Sequence, residues 1–321
     1  MPKRTRILAV GTALPDKVLT NHDLEEMVET SDEWIVKRTG IRERRICSYE
    51  TMMSNSGASE LGARASTVAI ERAGLSVDDI DGIICATFTP DNFFPSTACS
   101  ISRLLGRDNV LAFDLSAACA GFVYGCTVAN ALITTGQCRT ILLVGSEIIS
   151  KSLDWSDRTT CILFGDGAGA VVLQGTDDEE RGIIGTHVSS TGSLGDILTL
   201  PAWGQKRYMS MNGNEVYKHA VRMMSDATLK CLESCGLSCD DIDLIIPHQA
   251  NRRIITALAR QLGVPIERVV INIERYGNTS SASIPLALDD AWKDGRIREG
   301  CRVLFTSLGG GITIGSAMVR F

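Results

Sequence analysis

A repeated fourteen-residue segment constrains the fold of this chain more than any other feature. ERAGLSVDDIDGII at 71–84 aligns without gaps to ESCGLSCDDIDLII at 233–246, with ten of fourteen positions identical and a shift of 162 residues. A self-match at this distance is typical of two related halves rather than of a short-period solenoid. In each copy, the end of a helix, a glycine turn and an acidic segment precede a short apolar strand.

Later segments repeat as well. CRTILLVGS from Cys138 resembles CRVLFTSLG from Cys301, and GAGAVVL from Gly167 is echoed by IGSAMVRF from Ile314 at a shorter spacing. The extra residues of the first half fall around 147–160, which we interpret as a candidate functional insertion.

Helices that alternate with strands predict an α/β fold with mostly parallel sheets. Because the unit is duplicated, we expect a layered α/β/α/β/α architecture with two halves related by an approximate twofold axis. The polar, acidic segment at 176–182 is the expected boundary between a first half, 1–176, and a second half, 177–321.

Composition narrows the class of protein. The 321 residues include 32 basic and 38 acidic side chains, a net charge of −6, without the long basic clusters of a nucleic-acid surface. No run approaches eighteen apolar residues, so we expect no membrane span. Gly11 and Pro15 interrupt the apolar N-terminal stretch, which predicts a first strand rather than a signal peptide. A cytoplasmic location is therefore expected.

The eleven cysteines are interpreted as reduced thiols, given the chain length and the absence of an export signal. Cys231, Cys235 and Cys239 have the spacing of one helix face, but Gly236 and Leu237 predict that the helix ends before Cys239. No histidine lies close to them in sequence, so we expect no metal site there. GDGAGA at 165–170 lacks the spacing of a nucleotide-binding loop and is interpreted as close strand packing.

Cys119 differs from the other cysteines in its position. DLSAACAGF at 114–122 places it between a predicted strand and a predicted helix that Gly136 would end. Unpaired N–H groups and the helix dipole favour a thiolate at such a helix start, so we expect a pKa below the value of about 8.5 of a free thiol.

The repeat brings distant residues into relation with Cys119. A shift of 162 places Cys119 opposite Ser281 and Ala86 opposite His248. Equivalent strand ends of two related halves converge near their axis. We therefore expect Cys119, His248 and Asn278 to lie together, although each of their motifs alone is ambiguous.

Seven segments together resemble the condensing enzymes of the thiolase superfamily, most closely the β-ketoacyl-acyl-carrier-protein synthase III family. They are TSDEWIVKRTGIRERR (30–45), DLSAACAGF (114–122), ILFGDGAGAVVL (162–173), GNEVYKHAV (213–221), PHQANRRI (247–254), RYGNTSSASIP (275–285) and GGGITIGSAMVRF (309–321). The Cys-His-Asn set separates this family from the chain-elongating synthases. Chalcone-synthase-like enzymes share that set, but the TSDEW and PHQAN segments favour synthase III.

The resemblance implies a reaction and roles for the three residues. Cys119 would be acylated by an acyl-coenzyme A, and malonyl-acyl-carrier protein would then lose carbon dioxide and condense with the acyl group. His248 and Asn278 would donate hydrogen bonds to the enolate oxygen. The N–H groups of Cys119 and Gly310 would form the oxyanion hole. Coenzyme A is a substrate here, and no cofactor is expected.

The resemblance also implies binding residues. Trp34 and Arg158 would hold the adenine ring between an indole and a guanidinium plane. The remaining coenzyme A positions would be Thr30, Arg38, Asn214 and Asn251. Since the chain and the carrier protein are both acidic, docking would use a local basic patch. Its expected members are Lys218, Gln249, Ala250, Asn251, Arg252, Arg253 and Arg260.

One departure from the family concerns the acyl pocket, which is expected to include Phe94 and Leu308. The family commonly has aromatic residues where this chain has Leu308, Ile312 and Ile314. Acetyl-coenzyme A is the first choice of primer, and a longer or branched primer stays open. The resemblance further implies a homodimer in which Phe93 or Phe94 reaches the partner's pocket.

Two alternatives belong beside this hypothesis. A related enzyme could use the same three residues for secondary-metabolite condensation or for plain acyl transfer. A carrier-binding protein without catalytic activity is the alternative from a different class, and an intact Cys-His-Asn set disfavours it.

Overall fold

A computed structural model describes residues 1–54, 56–204 and 207–321. The strands are β1 (Arg4–Ala13), β2 (Val18–Thr20), β3 (Glu43–Arg45), β4 (Gly82–Ala86), β5 (Leu111–Leu115), β6 (Thr140–Glu147), β7 (Gly167–Thr176), β8 (Gly182–Ser190), β9 (Leu198–Thr199), β10 (Ser210–Met211), β11 (Leu244–Pro247), β12 (Arg302–Gly309) and β13 (Thr313–Arg320). The helices are α1 (Asn21–Glu25), α2 (Asp32–Thr39), α3 (Tyr49–Met53), α4 (Gly57–Arg72), α5 (Thr97–Leu104), α6 (Gly121–Thr134), α7 (Gly213–Ser234), α8 (Arg252–Leu262), α9 (Ile273–Tyr276) and α10 (Ser283–Lys293).

Two main sheets carry the repeat. The first has the order β1-β7-β6-β4-β5 and the second the order β11-β12-β13-β8. Strands β4 and β6 are followed 162 residues later by β11 and β12, and both pairs are parallel within their sheets. Beyond β11, Ile245 forms a single parallel bridge to Val269, in the place that β5 takes in the first sheet. The predicted duplication is therefore confirmed in strand order and in register.

Helices complete the predicted layers. Helices α4 and α5 pack on the outer side of the first sheet, and α7 and α8 pack on the outer side of the second. Helices α6 and α10 lie between the two sheets, where the rings of Phe122 and Phe305 meet edge to face at 6.0 Å. Burying a side chain of this size contributes about 1.5–3 kcal/mol, so this central layer joins the halves firmly.

The acidic segment at 176–182 lies between the last strand of the first sheet and the first strand of the second. The first sheet ends at Thr176 and the second begins at Gly182, on either side of the acidic segment. The N-terminal segment is an exception to the separation of the halves. Its residues Leu19, Leu24 and Ile35 belong to the same hydrophobic cluster as Ile273 of α9. Residues from β2 to α2 thus pack against the second half.

The glycines of GDGAGA serve close packing, as predicted. A methyl group on Gly165 would lie 2.5 Å from the Tyr276 carbonyl oxygen, and one on Gly169 would lie 2.7 Å from Pro285. Both neighbours belong to the second half. Within the described residues, none of the helices is long and apolar enough to cross a bilayer.

The predicted helix ends are confirmed. Helix α6 ends at Thr134, shortly before Gly136 with φ 77°, and α7 ends at Ser234, shortly before Gly236 with φ 68°. Glycine adopts this left-handed conformation without the steric cost of a side chain. Cys239 therefore lies beyond the helix that carries Cys231.

The insertion lies between β6 and β7. Residues 148–166 join these two strands, whereas only residues 310–312 join their counterparts β12 and β13. The insertion includes a short 3-10 helix, Ile149–Ser152, and it carries Arg158.

Candidate active site

Cys119 lies in a one-turn 3-10 helix, Ala118–Ala120, between β5 and α6. The position predicted from sequence is confirmed, with this short turn interposed before the α-helix. Ala118 has a left-handed φ of 46°, a conformation that costs a residue with a side chain some energy and that is concentrated at functional sites. The equivalent residue of the second half, Ser280, has φ 52°.

The predicted lowering of the Cys119 pKa is wrong for the free protein. Cys119 is 7% exposed, and burial raises the pKa of its thiol to about 12. The Ser280 hydroxyl, 3.3 Å from Sγ, lowers the pKa, while a negative charge on the nearby Glu147 would raise it further. Desolvation therefore outweighs the helix start, because a thiolate in an apolar enclosure loses the water that would stabilise it.

His248 follows β11 directly and is 2% exposed. Its Nδ1 lies 2.7 Å from Ser283 Oγ, and the N–H of Gln249 donates to the same hydroxyl at 3.4 Å. Burial lowers the pKa of His248 to about 3, so the ring is neutral. In the tautomer with the ring proton on Nε2, the Ser283 hydroxyl donates to Nδ1 and Nε2–H is free to donate to a substrate oxygen; this is the tautomer that the chemistry of an enolate requires.

Asn278 is held by a turn that also reaches Cys119. The Asn278 N–H donates to the Leu163 carbonyl at 2.8 Å, and Asn278 Oδ1 accepts from the Ser280 N–H at 2.9 Å. The amide oxygen is occupied by this bond, which leaves the Nδ2 group as the donor end. The side chain of Ser280 donates to Cys119 Sγ, so one turn contacts both functional residues.

The structure brings the three predicted residues together around one cavity of about 120 Å³, here called the catalytic cavity. Its other lining residues include Leu308, which is 6% exposed, and Tyr217, Ala250 and Asn251 toward its opening. A thiol, a neutral imidazole and an amide therefore face one space, which suits nucleophilic attack followed by stabilisation of an oxygen anion.

A second cavity of about 330 Å³, the side cavity, also touches Cys119. It is lined by Phe88, Ser116, Ala117, Ala118, Cys119, Phe164, Leu198, Thr199, Leu200, Met209, Gly310, Gly311 and Thr313. The predicted oxyanion residue Gly310 thus lies on this side of the thiol. Its neighbour Gly309 packs directly on the turn, since a methyl group there would lie 2.7 Å from the Cys119 nitrogen.

The structure also groups several residues predicted to bind coenzyme A. The guanidinium carbons of Arg38 and Arg158 lie 4.6 and 5.1 Å from the centre of the Trp34 ring. Asn251 Nδ2 donates to the Arg38 carbonyl at 3.1 Å and links this cluster to the catalytic cavity. Guanidinium groups stack on aromatic faces in this way.

Thr30 lies close to Trp34 along the chain, and Asn214 lies beside the catalytic cavity. Thr30 precedes the N-cap of α2, and its buried hydroxyl makes no hydrogen bond within the described part of the chain. Asn214 is exposed in the first turn of α7, next to Gly213, which lines the catalytic cavity.

The predicted docking residues fall into two groups. Lys218, Arg252, Arg253 and Arg260 are exposed, and the three arginines line a surface groove, here called the basic groove, together with Tyr217. Gln249 does not fit a docking role. It is 1% exposed, and its amide bonds to the backbone of Pro247, Val270 and Asn272.

Phe94 does not reach the catalytic cavity of its own chain. Phe93 and Phe94 are 68% and 88% exposed, and Phe93 stacks on Trp203 at 5.0 Å. The predicted acyl-pocket role of Phe94 is therefore not seen within one chain.

Sequence reasoning missed several residues that shape the site. The hydroxyls of Ser280 and Ser283 lie in the GNTSSAS motif, and the 162-residue shift, which pairs Ser280 with Ala118, could have indicated the proximity of Ser280 to Cys119. The apolar lining residues Leu198 and Met209 carry no comparable signal, because they come from a short strand and a loop outside the repeat, whereas the shift pairs Phe88 with Ala250.

Comparisons with known proteins agree with this geometry. The profile for 3-oxoacyl-[acyl-carrier-protein] synthase III matches residues 113–192, and the profile for the C-terminal part of the same enzyme matches residues 232–321. A curated β-ketoacyl-[acyl-carrier-protein] synthase III from Acidiphilium cryptum is 50% identical over 325 residues, covering 99% of this chain and all of that protein.

Solved structures give the same result. The 3-oxoacyl-[acyl-carrier-protein] synthase III of Aquifex aeolicus VF5 is 45% identical with a TM-score of 0.94, covering 99% of this chain and all of that one. The enzyme of Pseudomonas aeruginosa PAO1 is 41% identical with a TM-score of 0.94, covering 99% and 98%. The chain therefore has the thiolase fold and belongs to the β-ketoacyl-acyl-carrier-protein synthase III family of condensing enzymes.

Proposed function

We propose that the protein condenses an acyl-coenzyme A primer with malonyl-acyl-carrier protein, to give 3-ketoacyl-acyl-carrier protein, carbon dioxide and coenzyme A, and so initiates fatty-acid synthesis. Acetyl-coenzyme A is the proposed primer. The observation that carries this proposal is the arrangement of Cys119, His248 and Asn278 around one cavity. Substrate thioesters and carrier protein are the only partners that the reaction requires, and no cofactor takes part.

Acylation comes first. Cys119 Sγ bonds to the carbonyl carbon of the primer, the bond from that carbon to the coenzyme A sulfur breaks, and the proton of the Cys119 thiol ends on the departing sulfur. Because burial raises the pKa of Cys119, the thiolate forms only as this transfer proceeds. The N–H groups of Cys119 and Gly310 are the proposed donors to the carbonyl oxygen.

Condensation follows. The malonyl group loses carbon dioxide, and the electrons of the broken carbon–carbon bond form a thioester enolate. Nε2–H of the neutral His248 and Nδ2–H of Asn278 donate to its oxygen. The enolate carbon then attacks the acyl carbonyl carbon, the bond from that carbon to Cys119 Sγ breaks, and the departing thiolate takes up one proton from solvent, which restores the Cys119 thiol.

The direct test is an assay of purified protein with malonyl-acyl-carrier protein and a panel of acyl-coenzyme A primers. A 3-ketoacyl product with acetyl-coenzyme A supports the proposal. Acyl transfer to the carrier protein without loss of carbon dioxide would instead identify an acyltransferase. No product with any primer, or a product only with primers outside fatty-acid initiation, would contradict the proposal in its present form.

Trp34→Ala should raise the KM for acetyl-coenzyme A about tenfold, with kcat little changed, because a stacked aromatic and guanidinium pair contributes about 0.5–2 kcal/mol. Steady-state kinetics with each substrate varied in turn would measure this. Arg158→Lys retains the positive charge but loses the planar guanidinium group, so its KM for acetyl-coenzyme A should rise by a smaller factor. Tyr49→Ala removes an aromatic side chain that is 71% exposed and is the control. An unchanged KM in Trp34→Ala would remove this residue from the coenzyme A site.

The basic groove is proposed to receive the acidic carrier protein. Arg253→Glu should raise the KM for malonyl-acyl-carrier protein about tenfold at low salt and weaken its dependence on salt, because charges at an interface rim act mainly on association. The KM for acetyl-coenzyme A is the internal reference. Arg103→Glu reverses an exposed charge on α5 of the first half and should leave both constants unchanged. An equal rise of the KM for malonyl-acyl-carrier protein in Arg253→Glu and Arg103→Glu would contradict the proposed docking of the carrier protein at the basic groove.

A second copy of the chain is proposed to cover Phe93, Phe94 and Trp203. These three side chains are 68%, 88% and 78% exposed, and together they form an apolar surface beside the side cavity. Light scattering should give twice the mass of one chain, and Phe94→Asp should shift the mass toward that of a monomer. A fully active monomer would contradict the proposed dimer.

A further inference from the structure

Glu147 is a buried carboxyl group that the proposed reaction does not use. It ends β6, is fully buried, and lies in the layer where the two halves meet. Within the described residues, it forms no ion pair with a basic side chain. A carboxylate without a partner charge is costly to bury, so its hydrogen bonds indicate which protonation state the fold accommodates.

The two carboxyl oxygens have different surroundings. Oε2 accepts four hydrogen bonds from the segment after β4: from Thr87 Oγ1 at 3.1 Å, Phe88 N at 3.2 Å, Thr89 N at 3.2 Å and Thr89 Oγ1 at 2.7 Å. The hydroxyl of Thr89 in turn accepts from the Ile148 N–H at 2.9 Å, which fixes its direction as a donor toward Oε2. Oε2 is therefore an acceptor only.

Oε1 faces a hydroxyl that cannot satisfy two acceptors. Ser281 Oγ lies 2.9 Å from Glu147 Oε1 and 2.8 Å from the Ala86 carbonyl oxygen. A serine hydroxyl has one proton to donate. If Glu147 is ionised, one of these two short oxygen–oxygen contacts has no proton. If Oε1 carries a proton, Oε1–H donates to Ser281 Oγ and Ser281 donates to the Ala86 carbonyl, so both contacts are hydrogen bonds.

We propose that Glu147 is held as the neutral acid with its proton on Oε1, and that it is a positioning residue which fixes the Asn278–Ser281 turn against the Cys119 turn. Ser281 follows Ser280, whose hydroxyl donates to Cys119 Sγ and whose N–H donates to Asn278 Oδ1. Glu147 is thus connected to the nucleophile and to an enolate donor through its hydrogen bond to Ser281 and the peptide backbone that joins Ser281 to Ser280.

The electrostatic surroundings fit a neutral acid. Burial raises the pKa of Glu147 to about 7, despite the hydrogen bonds that favour ionisation. The titratable neighbours that couple to Glu147 are Cys85 on β4, Cys119, and Lys151 in the insertion. Lys151 Nζ donates to the carbonyl groups of Thr89 and Pro90 rather than to Glu147. A negative charge at Glu147 would also oppose formation of the Cys119 thiolate.

The test compares Glu147→Gln with Glu147→Met. Glutamine keeps the acceptor toward Thr87–Thr89 and places an N–H donor where the acid has its O–H, so its rates of Cys119 acylation and of condensation should stay within about threefold of the wild type at pH 6. Methionine fills the space without hydrogen bonds and should lower kcat about 5- to 150-fold, with a smaller effect on KM. Ser281→Ala, which breaks the chain at its middle, should resemble Glu147→Met.

Two readouts distinguish the neutral acid from a merely structural carboxyl group. The ratio of Glu147→Gln activity to wild-type activity should rise between pH 6 and pH 9, because only the wild type loses its Oε1 proton. Infrared difference spectra at pH 6 should show a protonated-carboxyl stretch that is absent in Glu147→Gln. Circular dichroism confirms that each variant is folded.

The kinetic comparison rests on the proposed function, whereas the infrared band requires no turnover. A failure of the proposed function can therefore be distinguished from a failure of the proposed protonation state of Glu147. A missing infrared band at pH 6, or a loss in Glu147→Gln as large as in Glu147→Met in folded protein, would overturn the neutral acid and the positioning role.

Discussion

Cys119→Ala should lose condensation by at least about 10⁴-fold while malonyl-acyl-carrier protein is still decarboxylated, because removing a nucleophile abolishes the covalent step and leaves the other groups in place. The two steps use different residues around the catalytic cavity. The His248 ring is held by Ser283, the Asn278 backbone by the Leu163 carbonyl and the Asn278 side chain by the Ser280 N–H, and none of these three bonds is made by the Cys119 side chain.

Mass spectrometry and carbon dioxide release would measure the two steps separately. After exposure to acetyl-coenzyme A, wild-type protein should gain one acetyl mass, and Cys119→Ala should gain none. Cys126→Ala, which removes another buried thiol from α6, is the matched control and should be acylated normally. Acetylation of Cys119→Ala would place the nucleophile elsewhere.

Asn278→Asp provides the converse experiment. The aspartate keeps an oxygen for the Ser280 N–H but replaces the amide donor with a carboxylate, which would repel an enolate. The Asn278 amide is not a base that could take the proton of the Cys119 thiol, so its replacement removes no group that acylation needs. Acylation of Cys119 should therefore persist in Asn278→Asp. Decarboxylation should fall about 10²- to 10³-fold, as for removal of one oxyanion donor. Equal loss of both steps would show that Asn278 acts mainly through the Ser280 turn.

The fold was largely predictable because the repeated segments indicate two units with the same order of helices and strands. The fourteen-residue match fixed the correspondence of β4 with β11, and the same shift relates β6 to β12 and the Cys119 turn to the turn at Ser280–Ala282. The packing of the N-terminal segment was not predictable in this way. Leu19 and Ile35 have no counterpart in the second half, so nothing in the repeat indicates that they contact Ile273.

The site was predictable in its residues and less so in its electrostatics. Motifs placed Cys119, His248 and Asn278 together, since strand ends of related halves converge. The pKa of Cys119 depends instead on how completely both halves exclude water from the thiol. The sequence around Cys119 does not indicate this burial, because it results from packing against distant segments. The hydrogen bonds of Glu147 likewise join residues up to 134 positions apart in sequence.

The Cys119 turn is also held from the second half, and this contact has a testable consequence. Strand β12 passes so close that Ser307 Oγ donates to the Cys119 carbonyl at 2.7 Å. Two residues later, a methyl group on Gly309 would lie 2.7 Å from the Cys119 nitrogen, 2.8 Å from the Ala117 oxygen and 2.9 Å from the Ala120 nitrogen. All three are backbone atoms, so no side-chain rotation can make room.

Gly309→Ala should therefore displace the Cys119 turn. We expect overpacking to reduce the free energy of unfolding by about 1–3 kcal/mol. The rate of Cys119 acylation should fall about 10²-fold, because a displacement of about 1 Å of a reacting group has this effect on rate. Chemical denaturation and acylation followed by mass spectrometry would measure the two effects.

Gly192→Ala is the matched control, because a methyl group at Gly192 meets nothing within 4 Å. It should leave stability and acylation unchanged. An acylation rate in Gly309→Ala equal to that of the wild type would mean that the Cys119 turn can move away from the added methyl group without disturbing the nucleophile. A large loss of acylation with little loss of stability would mean that the two halves specify the position of the nucleophile more strictly than they specify the fold.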